Sequence, residues 1–268
     1  MPALDPAIVA ICETHALHRA LGHERSEGKR ASFVRDLELP DVWDANHAAD
    51  VRADTDEAIE ALFAEADAHY AHCRHRQYHC DLRTPPRFEA RLLHEGHRVT
   101  AIVQMLLEGE LRAGPPAAEI RPVESAADWK SYAELRRLDH AEGDEAPGRV
   151  GRSLEVSAGL VACARKAAPE VQPFLLSLDG RDVAYASAFA GRNGVGMVED
   201  VFTRREHRGR GLATALIDRA VRHARAGGAG PILIGARPGE DAGRLYAKLG
   251  FAPRCVARSY NLALDEPA

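Results

Sequence analysis

The chain has 268 residues, 46% of them hydrophobic, which suits one large globular domain or two small ones. A net charge of −5 and a pI near 6.2 argue against wholesale nucleic-acid binding through a basic face. Five cysteines, with no paired spacing beyond one Cys-x6-Cys, argue against a secreted disulfide framework. The sequence shows no basic-then-apolar N-terminal segment and no run of about 18 apolar residues, so a cytoplasmic location without membrane partners is expected.

Leu4, Ile8, Ile11, Ala16, Leu17 and Leu21 recur at helical spacing and predict a helix over 4–21, followed by Gly22 and a polar loop to Arg30. Strand-like segments at 32–39 and 42–52 are separated by Pro40. Ile59, Leu62, Phe63, Ala66 and Tyr70 share one face of an amphipathic helix over 56–71. A short buried strand at 77–82 precedes Pro85-Pro86, which opens a helix that Gly96 stops, and 99–107 reads as another strand. Gly114-Pro115-Pro116 has linker composition, so the boundaries are a first domain at 1–112, a linker at 113–118 and a second domain at 119–268. A strand from Glu119 then leads to helices at 129–142 and 153–166, joined by an acidic loop. Strands at 174–178 and 183–189 flank Asp179-Gly180, a hairpin signal. A second turn at 191–194 enters a strand ending at Thr203. Helix 212–225, strand 231–236, helix 240–249 and one or two strands over 251–264 complete the chain.

Between the strand ending at Thr203 and the helix from Leu212 lies Arg208-Gly209-Arg210-Gly211-Leu212-Ala213. Its two glycines let successive N–H groups converge on one hollow, and the helix N-terminus adds its own N–H groups and dipole. With Arg208 and Arg210 beside it, the hollow suits a pyrophosphate. The Gly-Lys-Ser/Thr ending of a nucleoside-triphosphatase loop is missing, and so is the G-x-G-x-x-G of a dinucleotide fold.

The remaining pattern, R-x-x-G-x-A, resembles the acetyl-CoA loop of the GNAT superfamily of N-acetyltransferases. Leu245-Tyr246-Ala247-Lys248-Leu249-Gly250-Phe251 resembles the closing helix of the same family, L-Y-x-x-x-G-F. The resemblance covers about 118–268. It implies a mixed α/β (α+β) GNAT-like fold, a central, mostly antiparallel twisted sheet flanked by helices, and acetyl transfer from acetyl-CoA to a primary amine by direct attack. The amine would be a small molecule or a peptide. Arg208, Gly209, Arg210 and Gly211, with Leu212, Ala213 and Thr214, would then cradle the coenzyme. Val201, Phe202 and Thr203 would pair with its pantetheine arm and offer an N–H to the thioester oxygen. Tyr246 stands where the family keeps its acid. Glu199 and Asp200 are the candidate bases. Strand alternation predicts that they face opposite ways, and Glu199 is favoured because it shares parity with Val201 and Thr203. The loop joining the first two helices of this domain, with Asp139, His140 and Glu142 followed by Asp144 and Glu145, would attract a cationic acceptor. In one respect the sequence departs from the pattern: the Asn often found seven residues before the tyrosine is Gly239.

A shift of 154 residues lays helix 56–71 over 210–225, strand 77–82 over 231–236 and Gly96 over Gly250, which suggests a diverged partial copy. Where the second domain has its glycine loop, the first has Asp54-Thr55-Asp56-Glu57, which caps a helix well and repels phosphate. The N-terminal copy is therefore expected to bind no CoA. Zinc ligation can be drawn through His69, Cys73 and one of His79 or Cys80. The repeat gives these residues ordinary duties at a helix end and in a buried strand, and no metal is expected. The alternative to an enzyme is a module that binds acyl-CoA as a sensor or scaffold. A homodimer is left open.

Overall fold

The computed structural model describes residues 4–112, 118–144 and 153–264, and by Cα proximity it divides into two units. The first comprises Met1–Gln104 with Arg254–Ala268, the second Met105–Pro253. The linker drawn at 113–118 falls almost wholly outside the described residues.

In the first unit, Asp5 accepts the Ala7 N–H and Pro6 occupies the first turn, so α1 begins at Pro6 and runs Pro6–Ala20. Strands β1 (Glu24–Glu27), β2 (Ser32–Arg35) and β3 (His47–Ala49) follow. β1 lies where a polar loop was expected. It is an edge strand with no apolar alternation, held by cross-strand charge: Glu24 sits opposite Arg35 and bonds to it at 2.7 Å. The extended segments predicted at 32–39 and 42–52 are shorter than expected. The Asn46 amide folds the chain between them, accepting the Asp36 N–H and donating to the Leu39 and Val42 carbonyls.

Helix α2 (Asp56–His69) is capped by Thr55, whose hydroxyl accepts the Ala58 N–H. It buries Ile59, Leu62 and Ala66 against Phe33, Tyr78, Phe88 and Leu92, and each large apolar side chain so buried contributes roughly 1.5–3 kcal/mol. β4 (His75–Cys80), α3 (Pro86–His94) and β5 (Arg98–Leu107) follow. The chain's last strand, β11 (Ala252–Ala263), is a single strand that pairs antiparallel with β4, Arg258 opposite Cys80 and Ala263 opposite His75. The strand order of this unit is β1-β2-β3-β4-β11-β5.

The second unit contains β6 (Glu119–Pro122), α4 (Ala126–Asp144), α5 (Leu154–Ala167), β7 (Val171–Leu178), β8 (Arg181–Phe189), β9 (Gly196–Thr203), α6 (Leu212–Ala226), β10 (Ile232–Ala236) and α7 (Asp241–Leu249). Its strand order is β10-β9-β8-β7-β6, with β10 parallel to β9 and the other pairs antiparallel. Asp179 and Gly180 turn the β7–β8 hairpin at φ 51° and 74°, as Asp-Gly predicts. On one face of this sheet Tyr132 and Leu135 of α4 and Val161 of α5 pack on Leu175, Tyr185 and Phe202. Helix α6 buries Leu216, Ile217, Ala220, Val221 and Ala224.

Candidate functional site

β9 leaves regular pairing at its acidic dipeptide. Ser187 lies opposite Glu199 and Tyr185 opposite Phe202, so two steps on β8 match three on β9. The extra residue makes a bulge, and Asp200 occupies it at φ 57°. Directly opposed residues share a face, as do residues two apart on one strand, so Glu199 falls on the face of Ser187, Tyr185 and Phe202. The expected parity of Glu199 with Val201 and Thr203 is therefore broken by the bulge. Asp200 reaches the same face, where its carboxylate meets the Arg136 guanidinium of α4 at 2.6 Å. Both acids thus lie on one side of the sheet.

Beyond Thr203 the chain makes one short turn, Arg205–His207, and then the glycine loop. Gly209 and Gly211 take φ 76° and 78°, and Gly211 is the left-handed cap from which α6 starts. Helix geometry leaves the N–H groups of Leu212, Ala213 and Thr214 without an intrahelical acceptor. Among the described residues no acceptor takes those of 209–211 either. Arg208 is anchored by its Nε to the Thr203 carbonyl at 2.9 Å and lies over the Phe202 ring.

These parts bound one cleft of about 690 Å³, lined by Val201 to Thr203, by the loop from His207 into α6, and by Glu240, Asp241, Ala242, Leu245 and Tyr246 of α7 and its N-terminal approach. Asp139 of α4 completes it. Two polar atoms of the lining, Thr203 Oγ1 and His207 Nδ1, are buried without a hydrogen-bond partner among the described residues. Unmet polar atoms beside a row of open N–H groups and an arginine fit an anionic ligand such as a phosphate.

Tyr246 is only 5% exposed. Burial, and after it the negative charges of Glu199 and Glu240, hold its phenol well above the ordinary tyrosine range, so at neutral pH it carries a proton to give. Glu240 and Asp241, which follow Gly239, line the cleft where the family pattern has its Asn nearby.

The acceptor residues proposed from sequence separate into three environments. Asp139 lines the cleft and receives the Tyr185 hydroxyl at 2.7 Å. His140 is buried, its Nδ1 at 3.1 Å from Ser157 Oγ of α5, and does not line the cleft. Glu142 is paired with Arg208 of the glycine loop. Arg210 is exposed and takes no part in the lining. The Asp144 side chain and Glu145 lie outside the described part of the structure. Sequence reasoning missed Arg136, a guanidinium 8% exposed within a helix. Its signal is a charge where α4 turns an otherwise apolar stripe, Tyr132 and Leu135, toward the sheet.

The histidine and cysteine run of the first unit takes up packing. His69 stacks on Phe33 at 4.1 Å, His75 stacks on Trp43 at 4.7 Å, and His79 lies between Gln77 and Ser259. Among the described residues no group of three or more His, Cys, Asp or Glu is arranged to hold a metal ion, and no helix is long and apolar enough to cross a membrane.

The architecture is similar to that of solved GCN5-related N-acetyltransferases. A GCN5-related N-acetyltransferase from Kribbella flavida superposes with a TM-score of 0.69 at 21% identity, over 97% of this chain and 96% of that one. A functionally unknown conserved protein from Staphylococcus epidermidis ATCC 12228 gives 0.69 at 9% identity over 91% and 95%. A tandem GNAT protein from the clavulanic acid biosynthesis pathway gives 0.58 at 15% over 91% and 82%. At such identities the likeness is one of fold. In sequence, residues 134–251 match the acetyltransferase (GNAT) family, and this part of the chain is a GNAT domain. No curated protein matches the chain.

Proposed function

We propose that the protein is an acetyl-CoA-dependent N-acetyltransferase that acts by direct attack of a primary amine in a ternary complex. The observation that carries the proposal is the convergence, in one cleft, of the open N–H groups around Gly209 and Gly211, the strand segment 201–203 and the buried Tyr246. Acetyl-CoA, when bound, supplies an acetyl group activated as a thioester. The loop and Arg208 would hold its pyrophosphate, and the backbone of Val201 to Thr203 would hold the arm and stabilise charge on the carbonyl oxygen. Tyr246, kept protonated, would donate to the departing sulfur. Glu199, on the α4 face and close enough for its charge to act on Tyr246, would take the proton of the incoming amine, directly or through water. Asp139 in the lining favours a cationic acceptor. The N-terminal half, with Thr55 and Asp56 where the nest would stand, belongs to the proposal as a copy that binds no CoA.

The test is thiol release from acetyl-CoA with a panel of small and peptidic amines. Turnover is expected in the wild type, and in Tyr246→Phe a loss of about 10²- to 10⁴-fold in kcat with CoA affinity retained. Tight CoA binding without thiol release from any amine would instead make the domain an acyl-CoA sensor.

A further inference from the structure

We infer that Arg136 is a positioning residue that locks the bulge of β9 at Asp200 and, through Tyr185, orients Asp139 in the cleft. Its catalytic consequence rests on the acetyltransferase reading, while its structural content does not. Arg136 does not line the cleft, so it acts through other groups. Its Nη1 lies 2.6 Å from Asp200 Oδ1 and 3.3 Å from the Tyr185 hydroxyl, and its guanidinium covers the Tyr185 ring at 5.7 Å. The Tyr185 hydroxyl in turn donates a hydrogen bond to Asp139 Oδ2 at 2.7 Å. A single buried cation thereby fixes two carboxylates on two elements.

The bulge needs such a tether. Asp200 holds φ 57°, a left-handed conformation that side chains with a Cβ resist, and an extra residue in a strand can migrate along it unless something pins it. A bulge one residue away would turn Phe202 out of its packing with Tyr185 and Tyr132, and would redirect the N–H groups of Val201 to Thr203 that border the cleft. Burial works against the charge on Arg136, and Asp200, then the Tyr185 phenol, more than offset it, so the tether stays ionic.

Two variants separate this role from mere packing: Arg136→Met, and Arg136→Met combined with Asp200→Gly. Glycine adopts φ 57° freely and removes the carboxylate that the first change strands. In Arg136→Met, amide hydrogen exchange at 201–203 should accelerate by about tenfold beyond the change in global stability. Affinity for CoA should fall by about three- to tenfold, because the glycine loop is untouched while the N–H groups of 201–203 that would hold the arm are redirected, and kcat should fall further, about 100-fold. In the double variant exchange should return most of the way and kcat only in part, because Asp139 still lacks its tether through Tyr185. Unaltered exchange in Arg136→Met, or a double variant no better than the single one, would overturn the inference. A wild-type protein without turnover would defeat the acetyltransferase reading alone, and the exchange and CoA-binding arms would still decide on Arg136. If Arg136→Met does not fold, Arg136→Lys keeps a cation for Asp200 and loses the planar guanidinium that covers the Tyr185 ring. It should show normal exchange at 201–203 and a raised KM for the amine, and an unprotected bulge in it counts against the inference.

Discussion

Replacing Gly209 and Gly211 together with alanine tests the nest directly. Both residues stand near φ 77°, and an alanine there costs about 1–2 kcal/mol in the left-handed region. A Cβ on Gly209 would meet no atom within 4 Å, so at that position the cost is conformational rather than steric. The ligand-free loop can escape it by swinging to negative φ, which scatters its N–H groups. Binding CoA would then have to restore the strained form, at about 2–4 kcal/mol for the pair, and Kd should rise roughly 30- to 1,000-fold. Gly180 is the control. It sits at φ 74° in the β7–β8 turn with open space around it, so Gly180→Ala carries the same strain away from the nest and should lower stability by about 1–2 kcal/mol with unchanged CoA affinity. Calorimetric titration with CoA and thermal melts on all three proteins give the answer. A double variant that binds CoA within threefold of wild type, beside a destabilised Gly180→Ala, would refute the assignment of the loop.

Glu142 sits on Arg208 and would compete with a phosphate for it, so Glu142→Gln should tighten CoA binding by about two- to fivefold at low salt and not at all near 1 M. Weaker binding in that variant would mean that Glu142 helps to shape the loop. Burial, opposed by a backbone hydrogen bond, pushes His75 down to about 4 from an ordinary value of 6.5. Between those pH values the unfolded chain binds a proton that the folded one does not, so His75 should withdraw about 1.4 kcal/mol of stability per unit as pH falls from 6.5 to about 4. Urea unfolding at several pH values should show a shallower dependence in His75→Gln by that amount, and an unchanged slope would contradict it. Leu216 is fully buried in α6, so Leu216→Ala should cost about 2–5 kcal/mol in the same assay, and a cost under 1 kcal/mol would show that the helix packs differently.

What could be read in the sequence, and what could not, divides by range. The glycine loop and the closing helix were legible because their chemistry is local: left-handed positions demand glycine, and Leu245 and Tyr246 sit on one short helix. The order of helices and strands followed from apolar periodicity. The bulge was not legible, because it exists only in the register of β9 against β8, and alternation counted along one strand put Glu199 with the wrong neighbours. Arg136 stayed hidden for the same reason, since its partner Asp200 is 64 residues away. His140 was assigned to the acceptor site as part of an acidic loop. Its position on α4 turns it instead to Ser157 of α5. β1 escaped because an edge strand stabilised by Glu24 and Arg35 has no hydrophobic signature. The pairing of β11 with β4 joins residues about 180 apart in the chain, which no local pattern encodes.

The internal repeat shows how little sequence separates the glycine loop before α6 from an ordinary capped helix start. Under the 154-residue shift, β3, α2, β4, α3 and β5 fall on β9, α6, β10, α7 and β11; β3–β4 and β9–β10 are both parallel, and Gly96 and Gly250 both end their helices at positive φ. The two copies part at the turn that starts α2 and α6. Thr55 enters α2 in an extended conformation, spends its hydroxyl on the Ala58 N–H and is followed by Asp56, which pairs with Arg87. Gly211 enters α6 in the left-handed region and makes no side-chain cap, so the first N–H groups of α6 stay open beside Arg208. A capped, acidic start satisfies its own donors and stabilises the helix. An uncapped glycine start leaves its first donors to water or to a ligand. The asymmetry between two equivalent turns therefore leaves α6, and not α2, with its first donors open beside Arg208, which is the arrangement the proposed function uses.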